Sequence, residues 1–158
     1  MIKIMIEKWD KNHKKLEEKL RSLKMNYDYN DLVNITFEII YNSGEEKRYN
    51  KLNLDSMTLV DNGDFQGTLL YVIPFDVYKP KVDEYLMTFV EYGSCSGCDT
   101  LKSIVYFNED DFPDEEQLKD LMLLCKDIIP SRDHDTTLPG PDAGDLGAFL
   151  NTSLSLQC

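Results

Sequence analysis

The chain has 158 residues and a net charge of −12, and 42% of its residues are hydrophobic, with one Trp, nine Tyr and seven Phe. A chain of this length forms one domain that buries roughly two thirds of its unfolded surface, so neither disulfides nor a metal are needed for folding. The aromatic content excludes an acidic disordered chain.

Cys95, Cys98, Cys125 and Cys158 are too few and too unevenly placed for a secreted disulfide scaffold, which points to a reducing, cytoplasmic setting. The N-terminal stretch scatters lysines through its apolar residues and does not read as a signal peptide. No segment approaches the ~20 apolar residues that span a bilayer. Residues 1–24 hold eight Lys/Arg against four Asp/Glu, a local charge of +4 that leaves −16 on residues 25–158. Direct nucleic-acid binding by such a body is disfavoured, because phosphates need clustered cations. Basic protein partners are favoured instead.

In chain order, residues 4–24 read as an amphipathic helix with Ile6, Trp9, Leu16, Leu20 and Leu23 on its apolar face. Trp9 is the expected anchor, and this helix is also a candidate face for homo-oligomerisation. His13 falls on the same stripe as a packed or boundary residue. Asn30 or Asp31 can cap a second helix over 31–42, although Val33, Ile35, Thr36, Ile39 and Ile40 are β-branched and suit a strand as well. Residues 45–53 read as a polar connection. Residues 57–75 read as a β-hairpin with Asn62-Gly63 in a type I′ turn, since both residues tolerate positive φ. Residues 85–92 supply a third, antiparallel strand, with a fourth left open. Asp99 or Thr100 can cap a short helix, whereas residues 103–107 equally fit a strand. Pro113 opens a helix with Leu118, Leu121, Met122 and Cys125 on its apolar side, and Pro130 ends it. The fold expected is α+β: N-terminal helices on a small antiparallel meander with a C-terminal helix, as one domain over 1–130. Residues 131–158, lysine-free and rich in Gly, Pro, Asp, Thr and Ser, read as a disordered or non-native tail.

The Cys95-Ser96-Gly97-Cys98 loop has three readings. As a redox pair at a strand-to-helix junction, amide dipoles would make Cys95 the attacking thiolate. As a zinc site it supplies two ligands where a structural site wants four, and Cys125, Cys158, His13 and His134 are the only Cys or His residues left to add. As a structural turn, Gly93 and Gly97 supply permissive backbone and the cysteines pack as small apolar groups. The structural reading is preferred, and no cofactor is expected. No Walker loop, GxGxxG or Ser-His-Asp order is present. Residues 55–120 carry fifteen Asp/Glu and four Lys, and within them Glu109, Asp110, Asp111, Asp114, Glu115 and Glu116 form the acidic stretch expected to meet a partner. Such a surface resembles nucleic acid electrostatically and suits a basic groove.

Two segments carry a resemblance. Asp61-Asn-Gly-Asp-Phe-Gln-Gly-Thr-Leu69 and Tyr92-Gly-Ser-Cys-Ser-Gly-Cys-Asp-Thr-Leu101 resemble a group of small phage and prophage reading frames of unknown function, over residues 57–105. The resemblance carries no catalytic residue. It implies a non-enzymatic accessory protein in a bacterial host cell that binds a host protein with a basic surface. Such a protein would inhibit a nucleic-acid-handling or defence complex in the manner of an anti-CRISPR or a nucleic-acid mimic. The rival reading is a thiol-redox or zinc protein using Cys95 and Cys98.

Overall fold

The computed structural model describes residues 2–45, 47–106 and 111–130; the tail 131–158, expected to be disordered or non-native, lies outside the described residues. Helix α1 spans Ile2–Arg21. Met5, Asn12, Leu16 and Leu20 are buried along one face, with Trp9 half-buried among them. Ile6, expected on that face, is 50% exposed, because Met5, four residues before Trp9, holds the position in phase with Trp9 and Leu16. The helix also stops at Arg21, short of the expected end at Lys24.

Helix α2 spans Tyr29–Ile40 and decides the β-branched segment in favour of helix. Leu32, Val33, Thr36, Phe37 and Ile40 are buried with helical periodicity. Its cap is Asp28, not the expected Asn30 or Asp31. Asp31 N–H donates to Asp28 Oδ1 at 3.0 Å and Asp28 N–H donates to Asp31 Oδ2 at 3.2 Å, a reciprocal box that two carboxylates three positions apart can close. The far end of α2 is closed by α1. Asn12 Nδ2 donates to Ile40 O at 3.1 Å and Lys8 Nζ to Tyr41 O at 2.7 Å, satisfying carbonyls that a helix end leaves unpaired and setting the two helices antiparallel.

The connection that follows is less polar than expected. Leu52 is buried, exchanges both backbone bonds with the Asn42 side chain at 2.9 Å, and makes a single bridge to Phe75. Among the described residues the sheet proper has three strands, β1 Thr58–Asp61, β2 Gly67–Pro74 and β3 Tyr85–Tyr92, in the order β1-β2-β3 and all antiparallel. The expected hairpin is present, but its turn is different. β1 ends at Asp61 and β2 begins at Gly67, so residues 62–66 form the loop, and neither Asn62 nor Gly63 has positive φ. Gly63 is required by proximity instead, since a Cβ there would stand 2.3 Å from Gln66 O.

Tyr71, Ile73, Leu86, Thr88 and Val90 share the inner sheet face and are buried against the helices. Helix α3 spans Thr100–Tyr106, so residues 103–106 are helical where a strand was also open. Helix α4 spans Glu115–Ile128 and buries Leu118, Leu121, Leu124, Cys125 and Ile128. Asp114 caps α4 through a box with Gln117, whose Nε2 also donates to Ile104 O at the end of α3 at 2.9 Å. Thr88 Oγ1 donates to Ile128 O, tying the end of α4 to β3. The architecture is thus the expected α+β. Among the described residues no helix is long and apolar enough to cross a membrane.

The core also sets an alkaline limit. Burial pushes the Cys125 thiol from 9.0 to about 12 and the Tyr29 hydroxyl from 10.0 to about 12, and raises Tyr27 and Tyr71 as well. Between the two values the unfolded chain has lost a proton that the folded chain still holds, so rising pH favours unfolding. Stability is therefore full below pH 9 and falls progressively through pH 12. Urea midpoints measured from pH 8 to 11 are expected to fall across this range; a constant midpoint would contradict the burial of these groups.

Candidate functional site

Beyond β3 the chain leaves the sheet at Gly93, turns through the cysteine loop and enters α3. The turn is organised by Asp99, which is only 3% exposed. Its Oδ1 accepts from the Tyr29 hydroxyl at 3.0 Å and Lys102 N–H at 2.9 Å, and its Oδ2 accepts from Gly93 N–H at 3.0 Å. The Tyr29 hydroxyl in turn accepts from Leu101 N–H at 3.1 Å, and Lys102 Nζ donates to Gly93 O at 2.8 Å. One carboxylate thereby pins both ends of the cysteine loop to the start of α2, with charge-assisted bonds in a buried setting. Gly93 has no room for a side chain, because a Cβ would lie 2.2 Å from Cys98 O.

Within the loop, Cys98 N–H donates to Cys95 O at 3.1 Å, closing a turn that precedes α3 and does not belong to it. Both thiols are exposed and their sulfurs lie 3.0 Å apart. The redox reading placed the activated thiol at Cys95 through a helix start. The donors converge on Cys98 instead: Cys95 N–H reaches its sulfur at 3.2 Å and Ser94 Oγ lies at 3.8 Å. The Cys98 thiol is held below its ordinary value, first by the Cys95 thiol, then by Cys95 N–H and the Ser94 hydroxyl.

The loop, the β1–β2 hairpin and the start of α2 enclose a cleft of about 780 Å³. Tyr27, Tyr29 and Tyr92 supply its aromatic walls, and Asp28, Asp61 and Asp99 its carboxylates. The Tyr92 hydroxyl donates to Asp61 Oδ1 at 2.8 Å, an oxygen that also accepts Gly63 N–H at 3.1 Å. That bond is the main reason the Tyr92 hydroxyl is raised, followed by burial and the charges of Asp61 and Asp64. Asp28 and Asp61 also act together at a distance, since both raise the Tyr71 hydroxyl beneath the cleft after burial has done so. Among the described residues Lys102 is the one cationic side chain in the lining, and its Nζ is bonded to Gly93 O. The Tyr27 hydroxyl and Asn30 Oδ1 are buried without a hydrogen-bond partner among the described residues.

Comparison with protein-family models, curated proteins and solved structures finds no match.

The acidic stretch singled out in the sequence lies at the surface where it is described, with Asp111, Asp114, Glu115 and Glu116 all exposed. Glu109 and Asp110 lie outside the described residues. Asp111 pairs with Lys24 at 2.5 Å, Asp114 is the α4 cap and Glu115 pairs with Arg21, all at exposed positions, while Glu116 has no such role among the described residues. Cys125 is fully buried in the core and cannot join Cys95 and Cys98 at the surface. His13 sits on α1 with Nδ1 at 3.0 Å from Trp9 O and its ring stacked on Trp9. Among the described residues no group of three His, Cys, Asp or Glu side chains is arranged to hold a metal; His134 and Cys158 lie outside them. The residues missed in the sequence are Asp28, Tyr29, Asp61 and Tyr92. The alternation Tyr27-Asp28-Tyr29-Asn30 is the one local signal for Asp28 and Tyr29, whereas Asp61 and Tyr92 head the two segments that carry the resemblance.

Proposed function

We propose that this chain is a non-enzymatic accessory protein, of the phage type its two sequence segments resemble, that binds a host protein through a basic group seated in the cleft. The observation that carries the reading is the pairing of Asp28 and Asp61 with three tyrosines in a cleft where Lys102 is already bonded to the backbone. Carboxylates supply long-range attraction and orientation, and tyrosine faces accept a desolvated ammonium or guanidinium by cation–π contact. Carboxylates set beside aromatic faces are an arrangement suited to capturing a cation. Inhibition of a nucleic-acid-handling or defence complex would follow if the captured surface is one that otherwise holds phosphates.

The test is a pull-down from bacterial lysate with the full chain at low and high salt. A basic protein retained at low salt and released at high salt is expected, because exposed charge pairs are screened beyond ~10 Å at 0.1 M salt. Absence of a retained basic partner, or retention indifferent to salt, would overturn the reading.

A further inference from the structure

The cysteine loop has a chemistry that cation capture does not use. We propose that Cys95 and Cys98 form a reversible dithiol–disulfide couple, with Cys98 as the nucleophile toward low-molecular-weight disulfides and Cys95 as the resolving thiol. Three independent observations support it. The two sulfurs are exposed and 3.0 Å apart, so closing the bond requires little movement. The turn that presents them is pinned at Gly93 and Lys102 by the Asp99 carboxylate and closed by Cys98 N–H on Cys95 O, which keeps each thiol at a high effective concentration for the other. Cys95 N–H donates to Cys98 Sγ at 3.2 Å with Ser94 Oγ at 3.8 Å, and these outnumber the one acceptor nearby, Cys95 O at 3.3 Å, favouring the thiolate, the form that attacks.

The steps balance with an external disulfide as oxidant. The Cys98 thiolate attacks one sulfur of glutathione disulfide, forming a mixed disulfide and releasing one glutathione thiolate. Cys95, losing its proton to water or to that thiolate, attacks Cys98 Sγ. The Cys95–Cys98 bond forms, the mixed disulfide breaks and a second glutathione leaves. Two electrons pass from the pair to glutathione, which ends as two thiols. Cys125 does not compete, being buried with its thiol pushed up to about 12. Ser94, Cys95 and Ser96 line the cleft, so oxidation replaces a thiol wall with a covalently locked one.

The experiment equilibrates the full chain in glutathione buffers of graded ratio, quenches with acid, alkylates and maps the peptides. A single Cys95–Cys98 disulfide, fully reversed by excess reduced glutathione, is expected. Cys95→Ser should halt at a persistent Cys98–glutathione adduct, and Cys98→Ser should lose the loop disulfide and react with glutathione disulfide severalfold more slowly at pH 7. Stable adducts on the wild-type loop, pairing with Cys158 instead, or no oxidation of the loop at any ratio would overturn the couple. Faster reaction of Cys98→Ser than of Cys95→Ser would overturn the assignment of roles.

Discussion

Replacing Asp99 by alanine is expected to cost about 3–5 kcal/mol of folding stability, read as a lowered urea midpoint at pH 7. The residue is 3% exposed and accepts from the Tyr29 hydroxyl, Lys102 N–H and Gly93 N–H. Hydrogen bonds to a charged acceptor contribute about 1.5–3 kcal/mol each, and each buried donor left without a partner adds its own desolvation cost. The sum overshoots, because the cleft lies alongside and water can reach some of the vacated donors. Asp99→Asn tests the same network at constant volume. It keeps one acceptor but turns an NH₂ toward a donor, so a loss of about 2 kcal/mol is expected. Tyr29→Phe removes one donor to Asp99 and the acceptor of Leu101 N–H, and should cost about 1–2 kcal/mol. A loss under about 1 kcal/mol for Asp99→Ala would mean that the carboxylate does not hold the loop.

What could be seen in the sequence follows from which interactions are local. The helix α4, the three strands and the α+β layering were legible because periodicity acts over a few residues, as at Leu118, Leu121 and Cys125, whereas the Asp114–Gln117 box that starts α4 was not read. The hairpin was legible, but its turn was not. Asn62-Gly63 suits a type I′ turn locally, yet the register set by Tyr71, Ile73, Leu86 and Val90 on the buried face puts Asp61 opposite Leu69 and lengthens the loop. On α1 Leu16, Leu20 and Trp9 lie on the expected face and only Ile6 was misassigned, because Met5 beside it is also apolar and only packing against the core chooses between them. The cleft was invisible for a different reason. Tyr29 and Asp99 are joined across 70 positions of sequence, and Asp61 and Tyr92 across 31. An acidic run such as 109–116 draws attention in the sequence, whereas the fold commits Asp111, Asp114 and Glu115 to ion pairs and a cap.

Neutralising the cleft with Asp28→Asn and Asp61→Asn together is expected to weaken binding of the basic partner by about tenfold or more at low salt. The asparagines are chosen to separate charge from structure. Asn is as good an N-cap as Asp, so the acceptor for Asp31 N–H on α2 is kept. At position 61 the amide oxygen can still accept from the Tyr92 hydroxyl and Gly63 N–H. The double variant should therefore unfold close to the wild-type urea midpoint while losing affinity in titration calorimetry with the recovered partner. The loss should shrink as salt rises, since the attraction removed is the screened part. Glu116→Gln is the informative control. Glu116 is exposed in the first turn of α4, within the stretch that sequence alone nominates, and its neutralisation should change affinity by less than about twofold at 0.15 M salt, where charges more than ~8 Å away are largely screened. If Glu116→Gln instead costs more than the cleft pair, the partner docks on the start of α4 and the cleft reading fails. If neither change matters while binding persists, the contact is not electrostatic, and the exposed sheet residues Met87 and Phe89 become the surface to mutate.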